Sequence, residues 1–130
     1  MIDDVDPSPS GDLFLRTTAL PRDTNAFGDI YGGWLMEKMD LAGTTLAEEI
    51  AEGRVVAAAV QGINFIRPVK TGSNVSVYCD VESIGKASIE INIEVWVSSP
   101  SQSPIPLKAA DGRFYYVAID SMGKTRRVPR

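Results

Sequence analysis

The sequence contains no histidine, and this absence removes a large part of enzyme chemistry. Serine–histidine–aspartate catalysis, cysteine–histidine catalysis and histidine-dependent metal sites are all excluded, and we predict no metal site. Only one cysteine is present, Cys79, so no internal disulfide can form. Because Cys79 alternates with Val75, Val77 and Val81 along a predicted strand, a buried thiol is favoured over a nucleophile.

Long apolar runs and basic stripes are also missing. The 13 basic and 17 acidic residues give a net charge of −4, and no basic stripe is interleaved with aromatic residues, so no nucleic-acid partner is predicted. No apolar run approaches the roughly 20 residues that span a bilayer, and the amino terminus has no signal-peptide pattern. The sequence therefore predicts a protein of the reducing cytoplasm without a membrane partner.

The length and composition suit one globular domain. With 130 residues and 44% hydrophobic content, the chain can bury a substantial core. Residues 1–12 are acidic and rich in proline and serine, which predicts a disordered tail, and residues 13–130 form the predicted domain. Basic residues at the other end form either a local anion site or a solvated tail: Lys124, Arg126, Arg127 and Arg130.

One long helix and five strands are predicted. Residues 13–20 form the first strand, and residues 34–51 carry a helical apolar stripe that would span about 27 Å. Gly53 is expected to end this helix in a left-handed conformation. The other four predicted strands cover residues 55–65, 74–82, 88–98 and 108–119, separated by turn-rich segments.

The alternation of the fourth strand defines the architecture. Aliphatic residues at every second position from Ile89 to Val97 share one face, and polar residues share the other, with Trp96 among them. We predict an α+β fold in which one five-stranded antiparallel sheet wraps around one long central helix. The small residues Ala57, Ala58 and Ala59 are expected to face the helix, and the uncovered sheet face and edges predict a homodimer or larger assembly.

A Gly-Gly step and an aspartate mark the one place where chemistry is expected. Gly32 and Gly33 open the helix, where backbone N–H groups lack helical partners and no side chain blocks the approach of a ligand carbonyl. Asp40 lies two turns further on, at the edge of the apolar stripe. From these residues alone, the alternatives are a reactive site or, more simply, a tight turn followed by an ordinary boundary aspartate.

These segments together resemble a known family. D-T-N-A-F-G-D-I-Y-G-G-W-L-M-E-K-M-D, followed by E-I-A-E-G-R-V-V, Q-G-I-N-F-I-R-P-V and I-N-I-E-V-W-V, is similar to the hotdog-fold acyl-CoA thioesterases, in particular their bacterial YciA-like branch. The resemblance covers residues 13–129. It implies a hydrolase of lipid metabolism, with homodimers that form a continuous sheet, often three dimers in a hexamer, and active sites at the subunit interface.

The resemblance also implies roles for individual residues. The family's helix aspartate falls on Asp40, its oxyanion glycine pair on Gly32 and Gly33, and its loop asparagine on Asn25. Acyl-CoA would be hydrolysed to a free acid and CoA, with Asp40 as general base or as nucleophile, two alternatives that stay open. The expected CoA-binding residues are Lys86, Ser88, Arg54 and Arg67, together with the basic tail. No cofactor is expected, because CoA is part of the substrate.

Some positions depart from the family pattern. The second strand has Ala57 and Gln61 where a threonine and a glutamate are usual, and the last strand has Ala110 where a threonine is usual. Weak turnover or an altered acyl preference is therefore one expectation. The alternatives to a thioesterase are a hotdog protein that binds acyl-CoA without hydrolysis and a purely structural module.

Overall fold

The computed structural model describes residues 8–129, so residues 1–7 of the predicted tail and Arg130 lie outside the described residues. Five strands and one α-helix make up the fold, with a short 3-10 helix, Pro21–Asp23, after the first strand. The elements are β1 Asp12–Thr18, α1 Gly32–Ala51, β2 Val55–Phe65, β3 Asn74–Ile84, β4 Ser88–Ser99 and β5 Ser103–Ala118.

The strands form one antiparallel sheet in the order β1-β3-β4-β5-β2, and α1 packs against one of its faces. The predicted α+β architecture is confirmed. The edges of the sheet are β1 and β2. Within residues 8–129, no helix is long and apolar enough to cross a membrane.

The helix has the predicted bounds and differs only in the residue that caps it. It begins at Gly32, as the Gly-Gly step predicts, because the preceding Tyr31 is extended and its carbonyl already accepts the N–H of Trp34 at 3.1 Å. It ends at Ala51, as predicted, but the left-handed residue is Glu52 and not Gly53. The N–H groups of Glu52 and Gly53 both donate to the carbonyl of Glu48.

The last strand begins earlier than predicted. β5 starts at Ser103, opposite Ser99 of β4, although Pro104 and Pro106 lie within it. Prolines are tolerated there because β2 joins the other side of β5 only at Ala110, so the first half of β5 is a sheet edge. The predicted alternation of β4 is confirmed, except that Trp96 on the polar side is buried as well.

Helix and sheet approach each other closely at Gly43. A Cβ atom at Gly43 would lie 2.7 Å from Cδ1 of Ile93 and within contact distance of the Tyr116 hydroxyl oxygen. The expectation that Ala57, Ala58 and Ala59 would allow this approach is wrong: all three are exposed. A bulge in this edge strand shifts its register there, so the run does not pack as one flat face.

Candidate active site

The carboxylate of Asp40 projects from the middle of α1 and is partly buried. Its Oδ1 atom accepts two hydrogen bonds, from the Tyr116 hydroxyl at 2.9 Å and from the Thr44 hydroxyl at 3.2 Å. The Tyr116 hydroxyl also lies 3.2 Å from the Asp40 backbone carbonyl. Among residues 8–129, no hydrogen bond reaches Oδ2. One carboxylate oxygen is therefore held by the protein, and the other is available.

Tyr116 comes from the last part of β5 and is completely buried. Burial, followed by the negative charge of Asp40, raises the pKa of the Tyr116 hydroxyl far above its ordinary value. The hydroxyl therefore stays protonated at any physiological pH and acts as a hydrogen-bond donor. Its oxygen fits against α1 only because residue 43 has no side chain.

Asp40 and Gly33 line the same cleft of the chain. The cleft has a volume of about 360 Å³ and lies between the first half of α1 and the edge strand β2. Its lining consists of Gly33, Met36, Glu37, Asp40, Ala57, Val60 and Phe114. Apolar walls, a carboxylate and the positive end of a helix dipole thus meet in one place.

The two glycines of the helix start differ in accessibility. A Cβ atom at Gly32 would lie 3.2 Å from the ring of Phe65, whereas nothing lies within 4 Å of one at Gly33. Within the described part of the chain, neither N–H group has a hydrogen-bond acceptor. Gly33 therefore offers the more open N–H donor.

Asn25 shapes the loop that leads into the helix. Its side-chain oxygen accepts the backbone N–H groups of Phe27 at 2.8 Å and Asp29 at 3.1 Å. This loop is joined to the β2–β3 connection by the ion pair of Asp29 with Lys70, at 2.5 Å. Asn25 is not among the residues that line the cleft.

Three of the four predicted CoA-binding residues lie at one end of the sheet. Lys86 is in the turn between β3 and β4, Ser88 begins β4, and Arg54 directly precedes β2; all three are exposed. The end of β5 lies between them, since Ala118 donates to the carbonyl of Ala87 at 2.8 Å and Ile119 to that of Arg54 at 3.0 Å.

Arg67 is not part of this group within one chain. It follows β2, and its Nε atom donates to the carbonyl of Lys108 at 2.8 Å. The start of β5 is at the opposite end of the sheet from Ala118, so the structure separates Arg67 from Arg54 by the length of β2.

The basic tail is only partly available to an anion. Arg126 is held by hydrogen bonds within the fold. Its Nη2 atom donates to the carbonyl of Ala51 at 2.8 Å and its Nε atom to that of Ile119 at 3.0 Å. The guanidinium thus binds a carbonyl at the negative end of α1. Lys124 and Arg127 remain exposed.

Sequence reasoning missed the side chains that hold Asp40. Thr44 could have been found, because residues four apart lie on the same helical face. Tyr116 gave no sequence signal, since its contact spans 76 positions. Of the two departures in β2, Ala57 lines the cleft, whereas Gln61 pairs with Arg113 and lines a separate hollow on the outer face of the sheet.

Comparison with known proteins defines the class of protein. A family model described as "Thioesterase superfamily" matches residues 27–103, which include the helix start, Asp40, β2, β3 and β4. The chain belongs to this superfamily, and its hotdog fold is confirmed.

Individual relatives narrow the class further. The chain is 52% identical over 123 residues to the acyl-CoA thioester hydrolase YciA of Escherichia coli K12, with 93% of each chain covered. The structure of the hexameric thioesterase y2039 from Yersinia pestis has a TM-score of 0.89 and 48% identity, covering 95% of this chain and 99% of that one. An acyl-CoA hydrolase from Staphylococcus aureus, solved with butyryl-CoA and CoA, has a TM-score of 0.81 and 28% identity, covering 88% and 70%.

Proposed function

We propose that the chain is a cytoplasmic thioesterase that hydrolyses acyl-CoA to a free acid and CoA and requires no cofactor. The observation that carries this proposal is the cleft between α1 and β2, which is lined both by a carboxylate with one free oxygen and by the open position of Gly33. The E. coli relative, an acyl-CoA thioester hydrolase, supports the substrate class.

Asp40 supplies the basic or nucleophilic group in this proposal. As a general base, its Oδ2 atom removes a proton from water while the water oxygen attacks the thioester carbon. As a nucleophile, Oδ2 attacks that carbon itself, and water then hydrolyses the mixed anhydride. In both routes a C–O bond replaces the C–S bond, and the CoA sulfur leaves with the proton that water supplies.

Gly33 supplies the electrophilic group. Its N–H, at the positive end of α1, donates to the thioester oxygen as negative charge develops on that atom. Gly33 and Asp40 are seven residues apart on α1, about 10 Å along the helix axis. The glycine that acts with a given Asp40 would therefore be Gly33 of the partner subunit. A donor of this kind contributes about 3 kcal/mol of transition-state stabilisation in other enzymes. The neighbouring Gly32 leaves little room for the thioester, because the Phe65 ring covers its position.

The Staphylococcus aureus enzyme offers independent support for these positions. Alanine variants of that enzyme have been solved at an asparagine, at an aspartate 15 positions later and at a threonine 17 positions beyond the aspartate. The same spacings in this chain lead from Asn25 to Asp40 and from Asp40 to Ala57. Two of the three residue types are retained, and the hydroxyl of the third is absent.

We further propose that the CoA phosphates bind near Lys86, Ser88 and Arg54, in a homodimer formed by the two β2 edges. Antiparallel pairing of these edges would bring Arg67 of one subunit toward Arg54 of the other, so all four predicted residues would serve one site. The hexameric state of the Yersinia pestis thioesterase supports a trimer of such dimers.

A second candidate is an acyl-CoA-binding protein without hydrolytic activity. It is favoured only by Ala57, which leaves the cleft without the threonine hydroxyl. The test is a panel of short, medium, long and aromatic acyl-CoAs, with CoA release followed by a thiol reagent and binding followed by calorimetry. The buried Cys79 keeps the background of the thiol reagent low.

Release of CoA with multiple turnover supports the thioesterase. Binding of an acyl-CoA without release of CoA from any member of the panel supports the second candidate. Neither binding nor release across the panel would overturn both.

A further inference from the structure

We infer that Tyr116 and Thr44 are positioning residues that hold Oδ1 of Asp40, so that Oδ2 is the oxygen that reacts. This inference rests on the proposed function and adds to it the choice of carboxylate oxygen. Both hydroxyls donate to Oδ1, at 2.9 Å from Tyr116 and 3.2 Å from Thr44, and no described residue bonds to Oδ2.

The two donors fix the carboxylate from different directions. Thr44 is one turn along the same helix, so its bond restrains the side-chain torsion of Asp40 locally. Tyr116 comes from β5 and anchors the carboxylate to the sheet. Together they tie the reacting group to both layers of the fold, as precise positioning requires.

Tyr116 is itself held rigidly. It is completely buried, its ring stacks on Phe114 with centroids 6.4 Å apart, and its hydroxyl packs against Gly43. A tyrosine enclosed in this way cannot swing aside, so its hydrogen bond to Asp40 is a permanent feature of the site.

The first test is Tyr116→Phe, which keeps the ring and removes the hydroxyl. Because a hydrogen bond to a charged group typically corresponds to about a tenfold effect, we expect kcat to fall about tenfold with KM changed less than about twofold.

Tyr115→Phe is the matched control. Tyr115 is the neighbouring tyrosine of β5, and its hydroxyl donates to Glu90 at 3.0 Å on the polar face of the sheet. Its replacement should leave kcat and KM unchanged. Equal effects of the two variants would overturn the inference.

Variants of Thr44 test the second donor and do not depend on Tyr116→Phe being folded. Thr44→Val removes the hydroxyl and should lower kcat with little change in KM, by less than Tyr116→Phe does because the bond from Thr44 is longer. Thr44→Ser keeps the hydroxyl and should restore kcat. Loss of activity in Thr44→Ser equal to that in Thr44→Val would contradict a positioning role.

A readout without turnover separates this inference from the proposed function. Crystal structures of the wild type and of Tyr116→Phe show how the Asp40 carboxylate is oriented. In the wild type one carboxylate oxygen should contact both hydroxyls, and in Tyr116→Phe the carboxylate should turn or take more than one orientation, whether or not the wild-type protein releases CoA. The same single orientation in both structures would overturn the positioning role, whereas a wild-type protein without hydrolysis would overturn only the proposed function.

Discussion

The close contact of helix and sheet at Gly43 predicts that Gly43→Ala destabilises the fold. The added Cβ atom would lie 2.7 Å from Cδ1 of Ile93 and 3.0 Å from Cζ of Tyr116, and still closer to the Tyr116 hydroxyl oxygen. Ordinary contacts of a Cβ atom are 3.4 Å or longer. Since Ile93 and Tyr116 are both completely buried, neither can move aside without displacing the core.

Three terms set the expected loss of stability. Overpacking of a filled core costs about 1–3 kcal/mol, and a displaced Tyr116 hydroxyl that loses its bond to Asp40 costs about 1–3 kcal/mol more. The better helix propensity of alanine offsets about 1 kcal/mol of this loss. We therefore expect the free energy of unfolding to fall by about 3 kcal/mol, and kcat to fall because the Asp40 carboxylate loses its anchor.

Urea unfolding at a fixed subunit concentration measures this difference, because the stability of an assembly depends on concentration. Gly33→Ala is the control in the same helix: nothing lies within 4 Å of its Cβ position, so stability should be unchanged or slightly higher. If Gly43→Ala unfolds at the same urea concentration as the wild type, the close packing of α1 against Tyr116 is not as described.

Three further predictions concern other parts of the chain. Arg126→Gln should lower the free energy of unfolding by about 2 kcal/mol, measured in urea, because a charged donor to the Ala51 carbonyl at the helix end is lost, while kcat of the folded protein stays the same. Burial raises the pKa of the Cys79 thiol from its ordinary 9.0 to about 12, so the unfolded thiol ionises first as pH rises. This contribution to the free energy of unfolding is complete below pH 9 and is lost by about 1.4 kcal/mol per pH unit up to about pH 12. In urea unfolding at alkaline pH, the free energy of unfolding of Cys79→Ala should therefore fall less steeply with pH than that of the wild type. Lys86→Glu should raise KM for acyl-CoA much more than it lowers kcat, whereas the same charge change at the exposed Arg22 should not; an unchanged KM would remove Lys86 from the CoA site.

The architecture could be predicted because the sequence patterns that indicate it are local. The period-two pattern of β4 and the apolar stripe of α1 each report burial directly, and both are confirmed. The errors lie where tertiary contacts decide. β5 can start early because Pro104 lies where only β4 pairs with the strand. The three exposed alanines, Ala57–Ala59, lie at a bulge of β2 that composition does not show.

The site was predicted only in part for the same reason. Gly33 and Asp40 were predicted as site residues, and both line the cleft beside the edge strand. Tyr116, which anchors Asp40, is contributed by the last strand, and only the complete fold shows this contact. Arg67 and Arg54 lie at opposite ends of β2, so one chain does not bring them together.

The central claim is that the Asp40 carboxylate carries out thioester hydrolysis. Asp40→Asn keeps the shape of the side chain and its position between Tyr116 and Thr44 but removes the charge. The decisive measurement is the initial rate of CoA release by wild type and by Asp40→Asn, at matched occupancy of the acyl-CoA that the wild type hydrolyses fastest. We expect unchanged folding and binding, with CoA release at least a thousandfold slower, a loss of about 4 kcal/mol in transition-state stabilisation. Hydrolysis by Asp40→Asn within about tenfold of the wild-type rate would contradict the role of this carboxylate and the mechanism built on it.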